Sequence, residues 1–323
     1  MGGLDYQEII SIVQHEIEQT SYKGYPTELY EPMNYMIQLG GKRLRPVTTL
    51  LAAQLFSEEV SKALPAAKAI EVFHNFTLIH DDIMDKAPLR RGKETVHEKW
   101  DDNIAILSGD TLLIEVYNHF LEGNYKNIAE ILKVFNQIAI EVCEGQQLDM
   151  NFEKREDVTI DEYINMIRLK TSVLVGGAFK IGALVANASE SDATLIYEFG
   201  ENLGIAFQLK DDYLDCFGDP EKFGKQVGGD ILSNKKTFMM LKALEMDTTG
   251  ELKKSIYQNE FNAKKKIDFV KSLYKKLKVD ELAFDLMEAY YRKAIQSLNK
   301  IESPQFSKNK IIQFAEDLMQ RAS

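Results

Sequence analysis

Residues 61–85 read SKALPAAKAIEVFHNFTLIHDDIMD, and this stretch decides the fold. Apolar residues recur in it at steps of three and four, the period of a helix buried along a broad face. One proline stands near its start, where a helix tolerates it. The stretch ends in Asp81-Asp82-Ile83-Met84-Asp85. On a helix Asp81 and Asp85 share a face, about 6 Å apart along the axis, with Asp82 beside them. Three carboxylates in five residues repel one another, so a helix keeps them where a cation sits or where water screens them. The neighbours Phe73, Phe76, Leu78, Ile79 and Ile83 read as buried, which disfavours the solvated face.

Working outward, stretches 101–122, 125–152, 189–217 and 279–300 carry the same helical period, as do Ile9, Ile12, Val13 and Ile17 near the start. Breakers fall at Gly40-Gly41, Ala87-Pro88, Gly123-Asn124, Gly218-Asp219-Pro220 and Gly228-Gly229. No alternating strand pattern intervenes. Residues 173–188, VLVGGAFKIGALVANA, are apolar but too short for a membrane span and have Lys180 at their centre, which predicts a tightly packed buried helix. The Lys-rich segment 253–278 reads as a solvated helix face. No Pro-, Gly- or Ser-rich linker divides the chain. The reading is therefore an all-α protein of 323 residues, one domain over 1–323, a bundle of long, mostly antiparallel helices around a central cavity.

Composition excludes several classes of function. The net charge is −11, which argues against nucleic acid and anionic membranes as partners. Two cysteines cannot build a disulfide framework, so a reducing, cytoplasmic setting is expected. The first residues show neither a basic start nor an apolar run, so no secretory leader and no membrane span are expected. No Ser-His-Asp or Cys-His signature offers a nucleophile.

A second aspartate triad, Asp211-Asp212-Tyr213-Leu214-Asp215, repeats the first. Each closes a long apolar helix, and each is followed by a basic loop: Arg90-Arg91-Gly92-Lys93 after one, Gly224-Lys225 after the other. Six carboxylates make a hard oxygen site suited to Mg²⁺, which keeps waters and is completed by substrate phosphates. Fixed positive charge for those phosphates is at hand in Gly40-Gly41-Lys42-Arg43-Leu44-Arg45, Arg90-Arg91, Lys170, Lys225 and Lys235-Lys236. Any one cluster alone reads as a solubilising patch. Together with the aspartates they describe a site for a doubly phosphorylated substrate.

On these residues the chain resembles the trans-isoprenyl diphosphate synthases, the family of farnesyl and geranylgeranyl diphosphate synthases. GGKRLRP at 40–46, LIHDDIMDKAPLRRGKET at 78–95, GDTLL at 109–113, EGQQLD at 144–149, KT at 170–171, FQLKDDYLD at 207–215 and GKQVGGD at 224–230 occur in the family's order. The resemblance implies a prenyltransferase that condenses isopentenyl diphosphate with an allylic diphosphate. Asp81, Asp82, Asp85, Asp211, Asp212 and Asp215 would bind Mg²⁺, three ions per site in the family picture. Arg90, Lys170 and Lys225 would hold the allylic diphosphate. Lys42, Arg45, His74 and Arg91 would hold that of isopentenyl diphosphate, although His74 by itself reads as a core histidine. Gln146 and Asp149 would line the allylic site, Thr171, Phe207 and Gln208 the reaction centre, and Lys235 matches a further family lysine. The family is usually homodimeric. Phe76 five residues before Asp81, with the smaller Thr77 next to it and no insertion in DDIMD, resembles the twenty-carbon type, with Phe73 sharing the role of floor. Farnesyl or longer products, a class I terpene cyclase and a non-catalytic partner subunit are the alternatives. The intact second triad and the Lys42/Arg45 cluster favour elongation over the last two.

Overall fold

A computed structural model of the chain describes residues 4–219, 227–256 and 262–320, and these are almost entirely helical. They cluster into two compact units. The first is drawn from Met1–Phe135, Ala178–Ile196 and Glu302–Ile311, the second from Asn136–Gly177, Tyr197–Ile301 and Ile312–Ser323.

The first unit begins with α1 (Tyr6–Glu18), opened by a reciprocal capping box: Glu8 N donates to Asp5 Oδ1 at 2.8 Å and Asp5 N to Glu8 Oε2 at 2.6 Å. Ile9, Val13 and Ile17 are buried, as the periodicity requires. Then come α2 (Thr27–Gln38), α3 (Leu44–Phe56), a 3₁₀ turn (Val60–Ala63) and α4 (Leu64–Met84). α4 is buried along most of its length through Ala66, Ala67, Ala69, Ile70, Val72, Phe73, Phe76 and Ile79. Full burial of a side chain such as Phe73 contributes about 2–3 kcal/mol. After α5 (Val96–Lys99), α6 (Asp102–Glu122) runs back along α4: His80 meets the Ile106 carbonyl at one end, and the loop beyond α6 returns Tyr125 to Ala66 at the other. The two helices are thus antiparallel.

Between α4 and α5 lies a hairpin that the sequence does not announce. Leu89–Arg90 pairs antiparallel with Lys93–Glu94 through a turn in which Arg91 (φ 54°) and Gly92 (φ 76°) are both left-handed. Two positive φ values in succession match the strand twist of a tight hairpin. Two-residue strands are too short to show alternation, so the strand-free expectation misses them.

α7 (Ile128–Glu153), α9 (Val173–Val185), α10 (Glu190–Phe217) and α16 (Gln305–Gln320) each contribute residues to both units. α9 bears out the reading of 173–188 as a close-packed buried helix. A Cβ on Gly182 would stand 2.1 Å from the Thr49 carbonyl oxygen, so only glycine lets α9 lie this close to α3.

The second unit adds α8 (Ile160–Ile167), a π-helical segment (Arg168–Ser172), α11 (Gly229–Leu232), α12 (Phe238–Met246), α13 (Glu251–Ile256), α14 (Ala263–Lys276) and α15 (Val279–Lys300). Its core joins Phe152, Tyr163, Met166, Leu209, Phe238, Met240, Tyr274 and Met287. α14 is the Lys-rich helix and turns most of its lysines to solvent. Lys266 departs from that expectation: it is 4% exposed and donates to Asn234 Oδ1 at 2.7 Å, which satisfies its ammonium as its stem packs inward. Among the described residues no helix is long and apolar enough to cross a membrane.

Candidate active site

The first unit gathers its cations where α3 begins. Gly40 (φ 80°), Gly41 (φ 137°) and Arg43 (φ 47°) give the loop its sharp reversal before α3. The three cations of that loop have different fates. Arg43 is buried and pairs with Glu71, also donating to the Ile37 carbonyl, so it is a structural charge. Lys42 is exposed. Arg45 turns toward α4, where its Nη1 donates to His74 Nε2 at 3.0 Å. Arg91 arrives from the hairpin turn and donates to the Gly40 carbonyl. Gly41, Lys42, Arg43, Leu44, Arg45, Glu71, His74 and Arg91 line a cavity of about 420 Å³. Four cations against one carboxylate leave it strongly positive. Burial, then Arg45, Arg91, Arg90 and Arg43, push His74 well below the usual histidine range. It stays neutral and accepts the Arg45 proton. Burial and neighbouring arginines also push Arg45 and Arg91 downward, a strain that an anion in the cavity would relieve.

At the far end of α4 the aspartates differ from one another. Asp81 is half-buried and Asp85 is exposed at the C-cap. Asp82 is 1% exposed and already engaged: Arg90 Nε donates to its Oδ2 at 2.8 Å and Nη2 to its Oδ1 at 2.7 Å. Such a forked pair fixes both side chains. Arg90 therefore reaches back to the first triad. One and two turns before Asp81, Thr77 Oγ1 donates to the His74 carbonyl at 2.8 Å. Phe76 lies between Phe73 (centroids 5.7 Å apart) and His80 (4.7 Å). Phe73 packs edge-on against Phe135 at 5.1 Å.

In the second unit, α10 ends in Asp211, Asp212 and Asp215. Asp212 is 5% exposed; Tyr163 Oη donates to its Oδ2 and Gln208 Nε2 to its Oδ1 at 3.0 Å. Thr171 Oγ1 donates to Gln208 Oε1 at 3.2 Å, and Lys170 Nζ to Asp149 Oδ2 at 2.6 Å. Lys170 and Thr171 belong to the π-helical segment, whose irregular turn carries their side chains out of the α8–α9 register; such turns favour functional positions. Asp215 accepts Asp230 N at 3.0 Å, and Lys235 Nζ stands 3.8 Å from Asp230 Oδ1. Burial alone would lower Lys235, but Asp212, Asp230, Asp149 and Asp215 outweigh it and hold the ammonium firmly protonated. Asp149, Tyr163, Lys170, Thr171, Gln208, Asp212 and Lys235 meet around a polar cleft of about 50 Å³. Gln146 is buried on α7 and Phe207 half-buried on α10. Another hollow of the second unit, about 550 Å³, is lined by Ile160, Ile164, Phe238, Leu282 and Leu286 and holds none of the expected residues. Lys225 lies outside the described residues.

The structure thus brings together Lys42, Arg45, His74 and Arg91 in one unit, and Asp149, Lys170, Thr171, Gln208, Asp212 and Lys235 in the other. It separates the six aspartates into two kinds. Asp82 and Asp212, the second residue of each run, are buried with both oxygens engaged by protein donors, whereas Asp81, Asp211 and Asp215 are half-buried and Asp85 is exposed. Among the described residues no three His, Cys, Asp or Glu side chains are gathered closely enough to hold an ion unaided. Hard carboxylate oxygens supplied a few at a time suit Mg²⁺ completed by water and phosphate. Tyr163 and Asp230 escape the sequence reading. Asp230 stands inside the quoted GKQVGGD, whereas Tyr163 has only its place two turns before Lys170 as a signal.

Comparison with known proteins agrees with this chemistry. Residues 26–277 match the family model described as polyprenyl synthetase. A geranylgeranyl diphosphate synthase of Sulfolobus acidocaldarius is 39% identical over 92% of both chains. A geranylfarnesyl diphosphate synthase of Aeropyrum pernix is 40% identical, over 68% of this chain and 71% of its own. A crystal structure of a geranylgeranyl pyrophosphate synthase superposes with a TM-score of 0.94 at 45% identity, covering 99% of this chain and 100% of that one. The isoprenyl synthase fold, the motifs and the family match converge on one conclusion: the chain is a trans-prenyltransferase and belongs to the polyprenyl synthetase family.

Proposed function

We propose that this enzyme condenses isopentenyl diphosphate with an allylic diphosphate and releases mainly geranylgeranyl diphosphate. The observation that carries the reading is the positive cavity of Lys42, Arg45, His74 and Arg91. It offers an anion site free of aspartates, which elongation needs for a diphosphate that must stay intact and cyclisation of one substrate does not. In that cavity Lys42, Arg45 and Arg91 bind the isopentenyl diphosphate, and neutral His74 holds Arg45 in position. Asp81, Asp85, Asp211 and Asp215 would hold Mg²⁺, three ions in all. Bound there, Mg²⁺ would neutralise the diphosphate leaving group of the allylic substrate. Arg90, Lys170, Lys225 and Lys235 add fixed positive charge for the same group. Asp82 and Asp212 serve as supports for Arg90 and Gln208. Gln146, Asp149 and Phe207 line the allylic side. Once the allylic C–O bond has ionised, Thr171 and Gln208 stabilise the cation with oxygen lone pairs. Phe76 and Phe73 stop the growing chain, with Thr77 leaving room beside them.

The two units act as one catalytic domain in this reading, in a cytoplasmic homodimer. Leu107, Ile114 and Leu121 support the dimer: they recur every seven residues on α6 and are 58%, 61% and 58% exposed, an apolar stripe suited to a second copy.

The test is product analysis with isopentenyl diphosphate, each allylic primer and Mg²⁺. Twenty-carbon diphosphate, abolished by EDTA, is the expected result. Asp81→Ala and Asp211→Ala should lower turnover by orders of magnitude at unchanged helix content. No incorporation of isopentenyl diphosphate, a cyclic hydrocarbon from one substrate, or near wild-type turnover of Asp81→Ala would overturn the reading.

A further inference from the structure

We infer that Tyr163 is a positioning residue of the reaction centre and fixes, through Asp212, the direction in which the Gln208 amide points. The inference rests on the prenyl transfer proposed above and adds a residue that no motif supplies. Tyr163 stands on α8, and it is 1% exposed. Its hydroxyl has one proton to give and gives it to Asp212 Oδ2. The other oxygen, Oδ1, accepts from Gln208 Nε2 at 3.0 Å. A carboxylate only accepts, so the end of the Gln208 amide that faces Asp212 must be its NH₂. The amide oxygen then points the opposite way, and there Thr171 Oγ1 donates to it at 3.2 Å.

The chain of donors has one direction throughout. Tyr163 donates to Asp212, Gln208 donates to Asp212, and Thr171 donates to Gln208. With its proton committed to Gln208, the Thr171 hydroxyl presents only lone pairs to the cleft that it lines with Lys170 and Lys235. Lone pairs are what a developing allylic cation requires, and fixed ones need no reorganisation during the reaction. Reversing the Gln208 amide would set oxygen against oxygen at Asp212 and turn an NH₂ toward Thr171, whose proton would then swing into the cleft. Removing the Tyr163 hydroxyl leaves Asp212 Oδ2 buried without that donor, and the carboxylate turns about its broad terminal torsion to find another. The Gln208 orientation then loses its anchor.

The closing experiment compares wild type, Tyr163→Phe, Gln208→Glu and the double variant in steady-state condensation. Tyr163→Phe keeps the ring in the core and removes one oxygen. Its kcat should fall by at least about ten-fold, the loss that accompanies one misplaced polar group. KM for both diphosphates should stay within about two-fold, since the binding cations are untouched. Gln208→Glu sets two carboxylates against each other and breaks the same link, so the double variant should lose no more than the worse single one. Side-chain NMR of Gln208 gives a readout independent of turnover. Its NH₂ protons should exchange slowly with solvent in wild type and faster in Tyr163→Phe. A folded Tyr163→Phe with wild-type kcat overturns the inference, and so do multiplicative losses in the double variant. Should the Phe variant not fold, fast exchange of the Gln208 NH₂ in wild type overturns it alone. A wild-type chain that condenses nothing overturns the proposed function itself, which separates the two failures.

Discussion

Gly145→Ala is a one-carbon test of how the EGQQLD segment serves the π-helical segment. A Cβ at position 145 would stand 2.2 Å from Lys170 N, 2.6 Å from Lys170 Cα and 2.7 Å from the Leu169 carbonyl carbon. All three are backbone atoms, so no side-chain rotation relieves the overlap. Ordinary carbon contacts lie at about 3.5–4.0 Å, so the two segments must part by about 1.3 Å or more. Two effects of opposite sign compete. Alanine in a helix interior is favoured over glycine by about 1 kcal/mol. Overpacking a filled interior costs about 1–3 kcal/mol and sometimes more, and a backbone-on-backbone overlap belongs at the upper end. The net effect is destabilisation of about 1–3 kcal/mol, a drop in Tm of several degrees. The π turn, with the poorer hydrogen bonding of such turns, gives way first. It carries Lys170 and Thr171, and a shift of about 1 Å at a reacting centre costs about 100-fold in rate. Thermal denaturation by circular dichroism and steady-state condensation measure both. Gly109→Ala is the control: there the Cβ meets the His80 imidazole, 2.4 Å from Nε2, a side chain that can turn aside. A folded Gly145→Ala enzyme with wild-type turnover would refute the reasoning.

Three further outcomes are expected. Phe76→Ala should lengthen the product by at least one five-carbon unit and Thr77→Phe should shorten it; if Phe76→Ala only lowers stability by a few kcal/mol, as a core truncation does, chain length is set elsewhere. Lys42→Ala or Arg45→Ala should raise KM for isopentenyl diphosphate more than for the allylic substrate, and Lys225→Ala should do the reverse; equal effects on both substrates would show that the division of cations is wrong. His74 should make stability depend on pH. The unfolded chain takes up a proton near 6.5 while the folded chain, with burial and four arginines around the ring, does so only well below that. Stability is then full above pH 6.5 and falls as the pH drops toward the folded pKa, with a slope of up to about 1.4 kcal/mol per pH unit. Urea unfolding of His74→Gln from pH 7.5 to 5 should lack that slope.

The helices were legible because their signal is local and long. The periodicity of 61–85 extends over about seven turns and needs no knowledge of what packs on it, and the observed α4 agrees to within three residues at its start and one at its end. The candidate site could be read where its proposed chemistry is contiguous in sequence, as in the two aspartate runs. What escaped depends on partners far along the chain. Arg43 and Arg45 look equivalent in GGKRLRP, and Glu71, 28 residues away, decides that Arg43 is spent on the core. Tyr163 is one of 14 tyrosines, and Asp212, 49 residues on, singles it out. The hairpin at 89–94 escaped because its strands are two residues long, yet that turn aims Arg90 and Arg91 in different directions.

The two aspartate runs are alike in sequence and differ in what completes them. In each, the first and fifth residues share a helix face and the second lies about 100° round. That second residue is buried both times, and the partner chosen is different. Asp82 meets a full positive charge in a forked pair with the half-buried Arg90, so deleting Arg90 leaves a buried carboxylate uncompensated, which costs about 3–5 kcal/mol. Asp212 is held by two neutral donors, Tyr163 and Gln208, and keeps its negative charge for longer range, where it helps to hold Lys235 protonated. The first arrangement turns a carboxylate into an anchor for an arginine. The second turns a carboxylate into an orienter for an amide and a source of field for a lysine. A five-residue pattern therefore specifies where two outward carboxylates stand, but the fold around it decides what the inward one does.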